Sequence, residues 1–191
     1  MAGRQAKLLT DQQLGKALRH AAGRRWCDRD RLIIMLSVKA GLRAGEIARL
    51  TWPMVLDGAG RVATTIELHD QAAKKGSGRT IPMHPEIRRL LVQLRPQANR
   101  SGPVVVSERG GPMRPASVVN WFRSLYRTLG FAGCSSHSGR RTFITKAARQ
   151  VHRAGGSLRD VQQLAGHRSI EVTQRYIEGN TPAKRRLVGL L

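Results

Sequence analysis

Acidic side chains are scarce in this chain, with 12 Asp and Glu against 34 Lys and Arg in 191 residues. The carboxylates are too scattered for the clustered ligand set that two-metal phosphoryl transfer requires. Asp28 and Asp30 sit among arginines as helix-start charges, and Glu67, His69 and Asp70 read as the solvated end of a strand. Cysteine is nearly absent too. Cys27 and Cys134 lack zinc-like spacing, and two such thiols fit a reducing compartment better than a disulfide framework. There is no Walker loop and no zinc pattern, so if this chain breaks phosphodiesters it is expected to do so without a metal. No apolar run reaches the length of a membrane span, and the opening MAGRQAKLLTDQQ lacks the apolar stretch of a signal peptide. Tyrosine occurs only twice, as Tyr126 and Tyr176.

What is abundant is positive charge. The formal net charge is +22, and the excess runs along the whole chain rather than in a tail. Such a field favours a polyanion, of which nucleic acid is the commonest. A composition that is 40% hydrophobic, in a chain of this length, suits one globular domain with a proper core.

Residues 1–9 read as a basic, loosely held arm, and residues 10–191 as a single domain without internal repeat or linker. Thr10–Gln13 is a capping box that opens a helix through about Ala22. RDRLIIMLSVKAG predicts a buried helix from about Asp28, closed by Gly41, and a short helix follows from Ala44 to Leu50. Alternation at Val62, Thr64, Ile66 and Leu68 predicts a strand, and GRTIPMH a second one, joined by a loop carrying AAKKGSG. Helices are predicted over Pro85–Leu94, from Pro115 towards Gly130, from a cap at Ser135 or Ser136 to about His152, and from Ser157 to Gly166. GPVVVS between them reads as a short strand or extended segment. The expected fold is mainly α with a small antiparallel β-sheet.

Attack on a phosphodiester without a metal needs guanidinium forks for the non-bridging oxygens, a proton donor for the leaving oxygen and an activated nucleophile. A tyrosine nucleophile, with a reference pKa near 10, lies about three units, or roughly 4 kcal/mol, from ionisation at neutral pH, so positive charge or a histidine base must offset the gap. AGLRAGEIARLTW places Arg43 after a helix-ending glycine, with Glu46 three residues on, on the same helical face, to orient it. HSGRRT places His137 and Arg140 on one helical face. His167 and Tyr176 follow in AGHRSIEVTQRYIEG. Nine residues of unbroken helix would turn them to opposite faces, about 900° apart. A stop at Gly166 and a new start at Ser169 would let them converge. Tyr126, in WFRSLYRTLG, has helical spacing with apolar neighbours and reads as a packing aromatic.

AGLRAGEIARLTW, KKGSGRTIP, HSGRRTFIT and AGHRSIEVTQRYIE together resemble the four signature blocks of the tyrosine recombinase (phage integrase) catalytic domain. The resemblance spans about residues 8–180. It implies that domain's fold and a cytoplasmic, bacterial or phage-encoded enzyme that acts on double-stranded DNA without metal or cofactor. By resemblance Arg43, Arg140 and His167 bind the scissile phosphate, and His137 assists proton removal. A hairpin lysine protonates the leaving 5′ oxygen, and Tyr176 joins covalently to the 3′ phosphate. Counting back from Pro82 favours Lys74 for the lysine, with Lys75 as the alternative. The working assembly implied is a homotetramer on two DNA sites, monomeric without DNA and aided by accessory DNA-bending proteins.

Departures from the family pattern are specific. Gly139 and Arg141 stand where the family usually has Leu and His, and the glycine is expected to weaken its helix and remove a packing side chain. Arg141 reads as a contact that positions the DNA backbone, with competition for the scissile phosphate as the alternative. No separate N-terminal DNA-clamping domain is expected within the 191 residues. The apolar C-terminal stretch, Leu187, Val188, Leu190 and Leu191, packs either on its own domain or on a neighbouring subunit. The rival functions are type IB topoisomerase-like nicking and resealing, a non-cleaving accessory protein of the same fold, and a basic RNA-binding module.

Overall fold

The computed structural model describes residues 5–73, 77–95, 101–176 and 188–189. Lys74 and Lys75, the two candidates for the proton-donating lysine, lie outside the described residues, as do Leu187, Leu190 and Leu191. Helix α1 (Asp11–Ala22) opens on the predicted capping box: Thr10 Oγ1 accepts from Gln13 N at 3.1 Å, and Gln13 Oε1 accepts from Thr10 N at 3.0 Å. Helix α2 (Cys27–Lys39) is buried all round from Leu32 to Val38 because it runs through the centre, packed by α1, by α4 (Pro85–Leu94) and by α6 (Ser138–Gln150). The chain leaves α2 through Gly41 at φ +65° and starts α3 (Ala44–Arg49), which packs on α5 (Pro115–Thr128). Tyr126 is 3% exposed and stacks between Phe122 and Phe131, at 5.8 and 6.0 Å between ring centroids.

Strands β1 (Thr65–Leu68) and β2 (Arg79–Pro82) form a two-stranded antiparallel sheet in which Thr65 faces Pro82 and Leu68 faces Arg79. The predicted first strand is shorter than its alternation suggested, since Val62 makes only an isolated bridge to Leu56. GPVVVS is likewise extended chain, pinned by bridges from Pro103 to Thr51 and from Val106 to Pro112. Asp30 lies in the first turn of α2, as expected of a helix-start charge, but it does not face solvent. It is fully buried, its Oδ1 accepts from Arg29 Nε and Nη2 at 2.9 and 2.7 Å, and Arg24 lies 3.2 Å from Oδ2.

A second, smaller core joins α6 to α7 (Leu158–Ala165) through Ile144, Val151, Val161 and Ala165, with Tyr176 packed at its edge. Helix α6 starts one or two residues later than the expected caps, with His137 at the N-cap and Ser135 Oγ accepting from His137 N at 3.3 Å. Gly139 proves to be a packing requirement. A Cβ there would lie 2.3 Å from Ser37 Oγ, so its absence lets α6 close onto α2. Residues 5–9, expected as a loosely held arm, are tied to this helix and its loop by three hydrogen bonds. Lys7 N donates to Gly133 O at 3.0 Å, Leu9 N to Thr142 Oγ1 at 2.8 Å, and Arg141 Nη1 to Ala6 O at 2.6 Å. Arg141 thus serves the backbone of its own chain.

Candidate active site

The site lies where the two cores meet, and it is organised by the end of one helix. The last carbonyls of an α-helix lack intrahelical partners and carry partial negative charge. At the C-terminus of α7, three consecutive carbonyls each receive a different arginine. Leu164 O accepts from Arg79 Nε at 2.9 Å, Ala165 O from Arg140 Nη2 at 2.6 Å, and Gly166 O from Arg43 Nη2 at 3.4 Å. One helix end therefore collects guanidiniums from the α2–α3 turn, from β2 and from α6. Arg140, 3% exposed, is further fixed by donation to Gly41 O at 2.6 Å. Burial first, and then the Arg43 charge, lower its pKa to about 10, which leaves it charged at neutral pH.

Glu46 holds two of these arginines. Arg43 precedes α3 as its N-cap, rather than sharing a helical face with Glu46. From there its backbone N–H reaches Glu46 Oε2 at 2.8 Å and its Nη1 reaches Oε1 at 2.6 Å. Arg79 forks onto the same carboxylate, with Nη1 to Oε1 at 3.2 Å and Nη2 to Oε2 at 3.1 Å. Burial acts to raise the Glu46 carboxyl, but hydrogen bonds and charge from Arg79, then from Arg43, hold it below its ordinary value. Arg79 is a site residue that the sequence reading does not single out. A signal was available, because Arg79 precedes Ile81 by two and shares its inward face in a strand. A charge on that face must find a partner.

After α7 the chain turns at Gly166, φ +62°, and His167 swings back into the cluster. Its ring is pinned at both nitrogens. Nε2 lies 2.9 Å from Arg140 Nη2, and Nδ1 lies 2.9 Å from Thr173 Oγ1. Since a guanidinium can only donate, Nε2 accepts and Nδ1 carries the proton towards Thr173. Burial, followed by the charges of Arg140, Arg43 and Arg79, lowers the His167 pKa to about 4, so the ring is neutral at pH 7. Helix α8 (Ile170–Gln174) starts after Ser169, and fully buried Thr173 sits on its inner side.

Tyr176 closes the constellation. Its ring stacks on His167 with centroids 5.4 Å apart and 24° between planes. Its backbone is held at both ends, by donation to Thr173 O at 3.0 Å and by Thr145 Oγ1 donating to its carbonyl at 3.1 Å. Tyr176 borders a cleft of about 480 Å³ whose lining includes His137, Arg140, Arg141 and Arg175. A second cleft of about 570 Å³ carries Arg43, Glu46, Ala73 and, again, His137. His137 is exposed at the start of α6 and borders both. The structure thus brings together Arg43, Glu46, Arg140, His167 and Tyr176 and sets His137 at the rim; the described residues end one short of Lys74. Among the described residues no three His, Cys, Asp or Glu side chains group to hold a metal ion, and no helix is long and apolar enough to cross a membrane.

Comparison with known proteins is consistent across sequence and fold. The sequence model of the phage integrase family matches residues 7–182. The tyrosine recombinase XerC of Brucella suis biovar 1 is 26% identical over 153 residues, which cover 78% of this chain and 45% of that protein. Three such XerC relatives are matched over only 42–46% of their length, so the chain spans a little under half of each. In three dimensions the Tn1549 transposon integrase, solved in complex with a circular intermediate DNA, superposes with a TM-score of 0.74 at 20% identity, over 100% of this chain and 67% of that one. The XerA recombinase superposes with a TM-score of 0.71 at 24% identity, over 98% of this chain and 65% of its own. The fold is that of a tyrosine recombinase catalytic domain.

Proposed function

Since the chain belongs to the phage integrase family, we propose that it catalyses site-specific DNA strand exchange through a covalent 3′-phosphotyrosine at Tyr176. The observation that carries this reading is the stacking of Tyr176 on a neutral His167 that is itself pinned to a buried Arg140.

In the proposed reaction Arg43 and Arg140 hold the non-bridging oxygens of the scissile phosphate, and the arriving oxygen displaces the Arg140–His167 hydrogen bond. His167 then takes the tautomer with its proton on Nε2, which donates to the phosphate oxygen while Nδ1 accepts from the Thr173 hydroxyl. The Tyr176 oxygen forms a bond to phosphorus as the bond from phosphorus to the 5′ oxygen breaks. The phenolic proton passes to His137, and the leaving 5′ oxygen takes a proton from Lys74, or from Lys75 in its place. The guanidiniums supply the charge stabilisation, so no metal or nucleotide is assigned a step. The phosphotyrosine conserves the energy of the broken ester, and attack by a second strand's 5′ hydroxyl reverses the step and rejoins the DNA. Residues 10–191 form the catalytic domain, residues 1–9 the arm that leads into it, and four protomers on two duplexes are the expected assembly.

The test is covalent trapping. Nicked suicide duplexes with a randomised core are incubated with the protein, and adducts are resolved on a denaturing gel. The expected result is an adduct confined to a subset of sequences and lost in Tyr176→Phe. An adduct that survives Tyr176→Phe refutes the nucleophile, and one formed equally on every sequence points instead to topoisomerase-like nicking.

A further inference from the structure

Arg43 faces a conflict between two anions. It must present positive charge to a phosphate, yet its guanidinium sits 2.6 Å from the Glu46 carboxylate that orients it. An isolated Arg43–Glu46 pair would have no net charge and would attract an incoming phosphate poorly. The burial of the partners resolves this. The Arg79 side chain is 7% exposed and that of Glu46 1%, whereas the side chain of Arg43 retains 24%. Arg79 meets both carboxylate oxygens of Glu46, while the Arg43 guanidinium meets one.

We propose that Arg79 is a positioning residue that serves as the buried counter-ion of Glu46, so that the charge of Arg43 is left uncompensated for the scissile phosphate. Glu46 and Arg79 cancel, and Arg43 and Arg140 then present two net positive charges to the substrate. The same guanidinium fixes a second part of the site. It caps Leu164 O at 2.9 Å and fills the space where a Cβ of residue 166 would stand, at the turn that delivers His167. A lysine could neutralise Glu46 but could not fork both carboxylate oxygens and reach Leu164 O together.

This assignment rests on the phosphotyrosine reading, and the experiment separates the two. A phosphodiester in the cleaved position needs its charge neutralised; a methylphosphonate, in which methyl replaces one non-bridging oxygen, carries none. Adduct formation is timed on both versions of the reactive suicide duplex. In Arg79→Met the phosphodiester rate should fall by about tenfold or more while the methylphosphonate rate falls by about twofold or less. The control Arg43→Ala should show the same selectivity. Adding Glu46→Gln to Arg79→Met removes the unbalanced carboxylate and should restore most of the phosphodiester rate. Equal losses on both esters, with no recovery in the double variant, would reduce Arg79 to a packing role and overturn the proposal. If the unaltered protein forms no adduct, or Arg43→Ala does not discriminate between the esters, the catalytic reading fails first and takes this assignment with it.

Discussion

Replacing Gly166 by alanine tests how tightly the site is bound to the end of α7, and the chain supplies its own control. Gly155 and Gly166 share nearly the same left-handed backbone, at φ +71° and +62°. A Cβ at Gly155 meets nothing within 4 Å, whereas one at Gly166 would stand 2.7 Å from Arg79 Nη1 and 3.0 Å from its Cδ. A left-handed residue with a Cβ costs about 1–2 kcal/mol, offset by about 0.4–1 kcal/mol from the stiffer unfolded chain. Gly155→Ala should therefore lose about 1 kcal/mol. Arg79 cannot simply swing aside at the second position, because Glu46 and Leu164 O hold it. Breaking one such charge-assisted hydrogen bond adds about 1.5–3 kcal/mol, so Gly166→Ala should lose about 3 kcal/mol in total. Urea unfolding followed by circular dichroism measures both. In an Arg79→Ala background the excess at Gly166 should vanish, leaving a loss like that at Gly155. Equal losses for the two glycines in the unaltered background would refute the close packing of Arg79 against the turn.

Two further outcomes follow from the same geometry. The folded-state pKa of His167 is lowered to about 4, so between pH 6.5 and 4 the unfolded imidazole binds the proton that the folded one refuses. Its contribution is thus fully present above pH 6.5 and is lost as pH falls towards 4. The ring is half-exposed, so solvent screening reduces the expected loss to about 1–2 kcal/mol. The difference in urea stability between the unaltered protein and His167→Gln should change across that window, and a pH-independent difference would refute it. For the arm, Arg141→Ala removes the bond to Ala6 O. Amide exchange at Lys7 and Leu9 should then quicken by about tenfold, with α1 amides unchanged.

Local signals carried most of the fold into the sequence. Thr10 with Gln13, Gly41 after an apolar helix, and Ser157 with Asp160 Oδ2, 2.7 Å from Ser157 N, each act within one turn of chain, so residue types alone announce them. The turn at Gly166 belongs to the same class, and it is what allows His167 and Tyr176 to stack. What stayed hidden depends on partners far along the chain. Gly139 looked like a weak helix residue because Ser37, which it accommodates, lies about a hundred positions earlier. Arg141 looked like a departure because the carbonyl it holds belongs to Ala6. Arg79 drew no assignment because Glu46 and Leu164 meet only in the folded chain.

The remaining physical question is how one chain keeps Arg43, Arg79 and Arg140 together before any phosphate arrives. Three guanidiniums in a half-buried site repel one another, and that repulsion, added to burial, is visible in the lowered values of Arg140 and His167. A single carboxylate removes one charge of the three. The other compensation is not ionic at all: it comes from the carbonyls of Leu164, Ala165 and Gly166, which α7 leaves open because it ends there. These dipoles are weaker than a second carboxylate. They hold the arginines in place without cancelling them, so the net positive charge survives for a substrate. A second acid in place of the helix end would give a more stable cluster and a poorer phosphate site.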